Sequence, residues 1–213
     1  MIPIELPYLQ RIAKRQSPAS LLHEPKFLHA QKLFFDVAKD LGGSVDFDIA
    51  DMREVHAVAA LEDPKGKHML DIGCGSTEPY VLEDTFRDRY PPFFAEMLTT
   101  LGANVTGIDI RPNPNAQYDH RVLDLMKPDW MKTLTPPYDI IACLSLFNAP
   151  KSPFENDPKL CDKIMTNMHS LLAKDGLLIV TLRDDEKDPN AYLESMKFRL
   201  LHRDGNCAWT SPE

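Results

Sequence analysis

The chain predicts an α/β protein. The expected architecture is a seven-stranded, mostly parallel sheet with helices on both faces, an antiparallel hairpin at the C-terminal end and a helical cap at the N-terminal end. Three observations carry this. Residues 67–72 form an apolar run that reaches Asp71 and Ile72 and then breaks into Gly73-Cys74-Gly75, as a buried parallel strand does when it hands over to a tight turn. From there to Leu182, strand-like and helix-like periodicities alternate. Near the end, Asp204-Gly205-Asn206 separates two strand-like segments, the signature of a hairpin.

In chain order, the proline-bearing start (Pro3, Pro7, Pro18) reads as an irregular arm with a short helix over 6–15. Residues 26–41 place apolar side chains at helical spacing until Gly42-Gly43 stops them, and 48–61 form a second helix closed by Asp63-Pro64-Lys65-Gly66. These helices are expected to shield one sheet face; covering a pocket or making a homodimer contact are the alternative roles. Strand one is 68–72. A long connection follows, with helical pieces at 78–89 and 92–101 split by Pro91-Pro92. Strand two is 104–109, strand three 120–124, strand four 139–144, and Trp130 lies in a brief helical segment. Helix 158–173 ends at Lys174-Asp175-Gly176, and the nearly all-apolar 176–182 is a central strand. Helix 189–196 and strands 197–203 and 207–211 complete the chain. Residues 1–64 thus read as arm and cap, and 65–213 as the core of a single domain.

The chain's 213 residues, 43% hydrophobic and 26% charged, suffice for one such domain with a sizeable core. The net charge of −8 makes nucleic acid an unlikely partner, because phosphate contacts demand a basic surface. The four cysteines form no C-x-x-C pair, which argues against a metal site and fits a reducing, cytoplasmic setting. No apolar run approaches the roughly 18–20 residues needed to span a membrane.

The chemistry lies at the strand ends. Asp71-x-Gly73-x-Gly75 closes the first strand, Asp109 the second and Asp124-Leu125 the third, with Ser145 after the fourth. In open α/β sheets the ligand lies beyond these carboxyl ends. The two glycines would let it approach bare backbone, and one carboxylate at Asp109 matches a pair of vicinal ribose hydroxyls. With Gly-Ala-Asn-Val-Thr-Gly-Ile-Asp (102–109) and Leu-Ala-Lys-Asp-Gly-Leu-Leu-Ile-Val (172–180), this order resembles the class I, Rossmann-like S-adenosylmethionine-dependent methyltransferases over residues 65–211. The resemblance implies S-adenosylmethionine as cofactor and a small-molecule or protein side chain as acceptor. It implies that Asp71, with backbone near Leu144 and Ser145, holds the methionine ammonium. Gly73, Cys74 and Gly75 would form the cofactor loop, and Asp109 and the adjoining Ile110 the ribose end. Asp124 would take the adenine amino group and the Leu125 N–H would meet the ring.

There are departures. Thr77 stands where the family's loop carries a third glycine, and reads as an N-cap before Glu78-Pro79. Asp109 follows Gly75 by 34 residues (109 − 75), so Tyr80–Tyr90 reads as an insertion beside the cofactor mouth, a lid or substrate wall. Ser145-Leu146-Phe147-Asn148-Ala149-Pro150 lacks the Pro-Pro-aromatic motif of amino-group methyltransferases. No catalytic residue is assigned; methyl transfer from a sulfonium draws much of its rate from positioning. His56 and His120 are candidate bases. Phe147, Tyr80, Phe93 and Phe94 line an acceptor pocket or, for Phe93 and Phe94 more readily, pack a helix on the sheet. A nicotinamide enzyme is disfavoured by Glu78 in the sixth position of G-x-G-x-x-G and by the lack of a Tyr-x-x-x-Lys pair. A catalytically inactive cofactor-binding or regulatory protein of the same fold is the alternative reading.

Overall fold

The computed structural model describes residues 4–13, 24–41, 49–78, 90–148, 152–204 and 207–213. The elements run α1 (Leu6–Ala13), α2 (Pro25–Asp40), α3 (Ile49–Ala60), β1 (His68–Ile72), α4 (Phe93–Thr100), β2 (Asn104–Asp109), β3 (Asp119–Val122), a 3-10 turn (Trp130–Thr133), β4 (Tyr138–Cys143), α5 (Pro158–Leu171), β5 (Leu172–Thr181), α6 (Pro189–Ser195), β6 (Phe198–Asp204) and β7 (Cys207–Pro212). The seven strands form one sheet in the order β3-β2-β1-β4-β5-β7-β6. Strands β1 to β5 are mutually parallel, and β7 is antiparallel to both its neighbours. Strand β6 therefore points the same way as β5, and Asp204 reaches the carboxyl end of the sheet.

Alternation along each strand divides the core into two layers. Met69, Val105, Ile140, Ala142, Leu177, Ile179 and Trp209 face a cluster that includes Tyr8, Phe27, Phe34, Val55, Phe93 and Phe94, so α1 to α4 cover one face. Leu70, Ile72, Ile108, Ile141, Leu178 and Val180 face Trp130, Ile164, Met168 and Leu193, so α5, the 3-10 turn and α6 cover the other. The N-terminal helices thus shield a sheet face, as expected. The second layer's helices start on the same local device. Asp157 and Asp188 precede Pro158 and Pro189, and each carboxylate accepts an N–H three residues on, from Leu160 at 3.0 Å and Ala191 at 3.1 Å.

Some boundaries differ from the sequence expectation. β5 begins at Leu172 rather than 176, directly after α5. Its pairing with β4 slips from Tyr138↔Leu172 to Ile140↔Leu177, so Lys174, Asp175 and Gly176 form a bulge inside a strand rather than a helix stop. A Cβ on Gly176 would sit 2.6 Å from Leu172 Cγ, which is why the bulge takes glycine. β3 ends at Val122, so Asp124 lies in the turn beyond it. Glu78, expected to open a helix, is not helical; the rest of the expected helix (79–89), with Tyr80, and the hairpin residues Gly205 and Asn206 lie outside the described residues.

Candidate active site

The glycine loop wraps the end of β2. Gly73 and Cys74 both donate N–H to Ile108 O, at 2.9 and 3.1 Å, and Gly75 donates to Asp109 Oδ2 at 3.1 Å. Gly73 and Gly75 have φ of 72° and 89°, the left-handed region that favours glycine. The close approaches they permit are internal. A Cβ on Gly75 would lie 2.2 Å from Tyr90 O, and one on Gly73 would lie 3.1 Å from Leu146 Cδ1. The Gly75 contact follows from an antiparallel bridge between Ser76 and Tyr90, closed by Ser76 N–H to Tyr90 O at 2.6 Å. The 76–90 excursion therefore leaves and returns at one point beside the loop. Thr77 is not the cap expected of it. Its hydroxyl donates to Asn113 Oδ1 at 3.0 Å, while Ser76 Oγ accepts the Glu78 N–H at 3.0 Å.

Asp109 sits at the centre of this junction. Besides Gly75, it accepts from Arg111, through the backbone N–H at 2.9 Å and Nε at 3.2 Å, both on Oδ1. Oδ2 thus retains an acceptor position, whereas Oδ1 is filled by the pair with Arg111, whose Nη1 also reaches Glu78 O. A ribose diol that uses both oxygens must displace the Arg111 side chain. Arg111→Ala is accordingly expected to tighten S-adenosylhomocysteine binding, by about fivefold, since the side-chain pair is a single Nε contact at 3.2 Å and one hydrogen bond contributes about 1 kcal/mol net. Calorimetric titration of the variant against the native chain checks this; weaker binding would mean that Arg111 itself contacts the cofactor.

Asp71 is 4% exposed and lies at the first turn of α4, where the Ala95 N–H meets its carboxylate. Burial first, and the Asp109 charge second, push its pKa from 3.8 up to about 8, against that hydrogen bond. The folded state therefore holds this proton more tightly than the unfolded chain. Ionisation opposes folding with a penalty that is absent below about pH 4, grows as pH rises and is complete above about pH 8. The melting temperature is expected to fall across that window, and Asp71→Asn to flatten the fall; an unchanged slope in the variant would clear Asp71 as its source.

The remaining expected residues fall around the same sheet end. Asp124 accepts the Met126 N–H on Oδ1 at 2.9 Å, and Leu125 is buried in the second layer. Ile110 and Met126, 62% and 49% exposed, are large apolar side chains displayed one residue after Asp109 and two after Asp124. Leu144 is buried and Ser145 holds φ of 61°, a strained conformation for a non-glycine residue at the mouth of β4. Cys74 is a packed turn residue. Its Sγ lies 3.6 Å from Tyr118 Oη and 3.7 Å from His120 Nδ1, and burial raises its pKa strongly. His120, expected as a base, has Nε2 at 2.9 Å from Arg111 O as well, so both ring nitrogens serve the loop. Gly107 leaves room for this cluster, since a Cβ there would meet the Tyr118 ring at 2.4 Å. Phe93 and Phe94 pack α4 on the sheet, and Phe147 packs against Phe154 in the opposite layer; none of the three is free to line a pocket on the site's side. Arg111 and Ser145's backbone are the features that sequence reasoning missed or undervalued. Arg111 was within reach, since a cation two residues after a strand-end acid is placed to pair with it.

Five parallel strands with an antiparallel β7 slotted between β5 and β6, and acids at the ends of β1 and β2, define the class I methyltransferase architecture. The methyltransferase domain profile matches residues 46–212, and the chain belongs to that family. The fold is shared with a TehB-like S-adenosylmethionine-dependent methyltransferase of Corynebacterium glutamicum, 17% identical, covering 92% of this chain and 100% of that one at a TM-score of 0.51. The magnesium protoporphyrin IX methyltransferase of Synechocystis, solved with S-adenosylhomocysteine, is 14% identical over 88% of this chain and 100% of its own, with a TM-score of 0.49. TehB of Haemophilus influenzae is 13% identical over 70% of this chain, which spans only 58% of that protein, with a TM-score of 0.48. No curated protein matches the chain in sequence. S-adenosylmethionine is the cofactor of the family. No helix among the described residues is long and apolar enough to cross a membrane.

Proposed function

We propose that the chain is an active S-adenosylmethionine-dependent methyltransferase acting on a small-molecule acceptor, with the cofactor held along the ends of β1, β2, β3 and β4. The observation that carries this is Asp109, tied to the glycine loop through Gly75 and keeping acceptor capacity on Oδ2. The donor set fits the cofactor. Asp109 takes the ribose hydroxyls, Asp124 Oδ2 the adenine amino group, and the apolar Ile110 and Met126 flank the ring beside the Leu125 N–H. Gly73, Leu144 and Ser145 border the methionine portion, with Asp71 as the carboxylate for its ammonium. When bound, S-adenosylmethionine supplies a sulfonium methyl group for in-line displacement. The chain's own part is to orient donor and acceptor and to exclude water beneath α1 to α4.

Isothermal titration with S-adenosylhomocysteine tests the reading. Saturable heat is expected, and its size should depend on the buffer at pH 7, because an ammonium beside Asp71 ionises a carboxyl that is otherwise protonated there. No heat in any buffer would sink the proposal; heat that ignores the buffer would take Asp71 out of the site. A catalytically silent binder remains the second reading, and turnover of any acceptor decides against it.

A further inference from the structure

The carboxylate of Asp109 is held by main-chain donors, one on each oxygen. The Arg111 N–H reaches Oδ1 at 2.9 Å and the Gly75 N–H reaches Oδ2 at 3.1 Å. The two amides come from different segments. Gly75 belongs to the loop after β1, and Arg111 to the turn after β2. The direction in which the carboxylate points therefore depends on what fixes the loop against the turn.

One side chain touches both. His120 stands on β3, directly opposite Gly107 of β2. Its Nε2 lies 2.9 Å from Arg111 O. A carbonyl oxygen only accepts, so Nε2 carries the hydrogen and donates it. Nδ1, across the ring, lies 3.7 Å from Cys74 Sγ and 3.5 Å from Tyr118 Oη. Tyr118 Oη is itself 3.6 Å from Cys74 Sγ and accepts from Asn113 Nδ2 at 3.2 Å. Cys74 immediately precedes Gly75 in the chain. The imidazole is thus wedged between the residue before one donor and the carbonyl of the residue that supplies the other. Gly107 makes the wedge possible, since a Cβ there would lie 2.4 Å from the Tyr118 ring and 2.9 Å from Cys74 Sγ. Both ring nitrogens are engaged within the protein, so the histidine acts through what it holds.

We propose that His120 is a positioning residue for the ribose end of the cofactor: by joining the Arg111 carbonyl to Cys74, it keeps both main-chain donors on Asp109 and so sets the angle at which that carboxylate meets the vicinal hydroxyls. One backbone N–H on each oxygen leaves each a second acceptor position. A diol takes one from each once the Arg111 side chain has moved off Oδ1, while the Arg111 and Gly75 amides stay in place. Recognition of the hydroxyls rests on the methyltransferase reading; the clamp on Asp109 does not.

His120→Gln and His120→Asn test this as a pair. A glutamine amide reaches about as far from the backbone as Nε2 and can donate to Arg111 O; asparagine is one methylene shorter and falls short of it. The full chain and both variants are titrated by calorimetry with S-adenosylhomocysteine and with its 2′-deoxy analogue, which offers Asp109 a single hydroxyl. The native chain is expected to prefer S-adenosylhomocysteine. His120→Asn should weaken that ligand about three- to tenfold and the analogue less, so the preference shrinks, while His120→Gln keeps both affinities within about twofold of native. Equal weakening of the two ligands would reduce His120 to a structural role and overturn the proposal, as would unchanged affinity in His120→Asn or the same loss in His120→Gln. Hydrogen exchange of the Gly75 and Arg111 amides without ligand reads the clamp itself, with the β4 amides as the measure of overall stability. Relative to β4, both should exchange faster in His120→Asn and at the native rate in His120→Gln; no change in His120→Asn would overturn the proposal whatever the calorimetry shows. If the native chain gives no heat with S-adenosylhomocysteine, the methyltransferase reading falls, and the exchange rates still decide the clamp.

Discussion

Gly75→Ala is expected to lower stability by about 3 kcal/mol. Part is the left-handed backbone at φ 89°, costing an L-residue about 1–2 kcal/mol. The larger part is steric. The new methyl would lie 2.2 Å from Tyr90 O and 3.1 Å from the Pro91 carbonyl carbon, both main-chain atoms that cannot rotate away. Either the Ser76–Tyr90 bridge parts or α4, which begins at Phe93, shifts off the sheet, and such overpacking costs about 1–3 kcal/mol. Gly73→Ala is the control. Its φ of 72° carries similar strain, yet its nearest neighbour at 3.1 Å is the end of the Leu146 side chain, which can turn aside. That variant should lose only about 1–2 kcal/mol. Urea unfolding of both separates the contributions, and equal losses would show that the Tyr90 backbone does not decide the cost.

Asp109→Ala should weaken S-adenosylhomocysteine binding by about 1–3 kcal/mol, or roughly 5- to 150-fold, through loss of charge-assisted hydrogen bonds. The same change strips the Gly75 N–H and Arg111 of their acceptor. Some loss of stability is expected too, and unfolding measured beside calorimetry keeps the two effects apart. Combining it with Arg111→Ala sharpens the test. Arginine removal helps binding only by freeing Asp109, so the gain should vanish in the double variant. Unchanged affinity in Asp109→Ala would take this carboxylate out of the site.

Much of this arrangement was legible because local and long-range signals agreed. Strands β1 and β2 begin and end where Met-Leu-Asp-Ile and Val-Thr-Gly-Ile-Asp said they would, since buried parallel strands are continuous apolar runs with abrupt ends. The strand-end acids were visible for the same reason. What could not be read was where side chains spend their hydrogen bonds. Nothing local shows that Thr77 reaches Asn113, 36 residues on, or that His120 is held by Cys74 and Arg111. The bulge at 174–176 looked like a helix stop, because a Lys-Asp-Gly sequence suits both and only pairing with Tyr138 and Ile140 decides between them.

The loop's main-chain donors bear on which molecules the site rejects. The N–H groups of Gly73, Cys74 and Gly75 are all consumed by Ile108 and Asp109, so this turn is the reverse of a phosphate cradle. What it presents to a visitor is carboxylate oxygen. Pyrophosphate-bearing nucleotides would meet like charge and no donor from these three residues, whereas a hydroxyl-rich cation meets attraction. Competition by ATP or NADH should therefore be negligible at concentrations where they are abundant, the result expected if selectivity for a sulfonium nucleoside comes from the way β1 is tied off against β2.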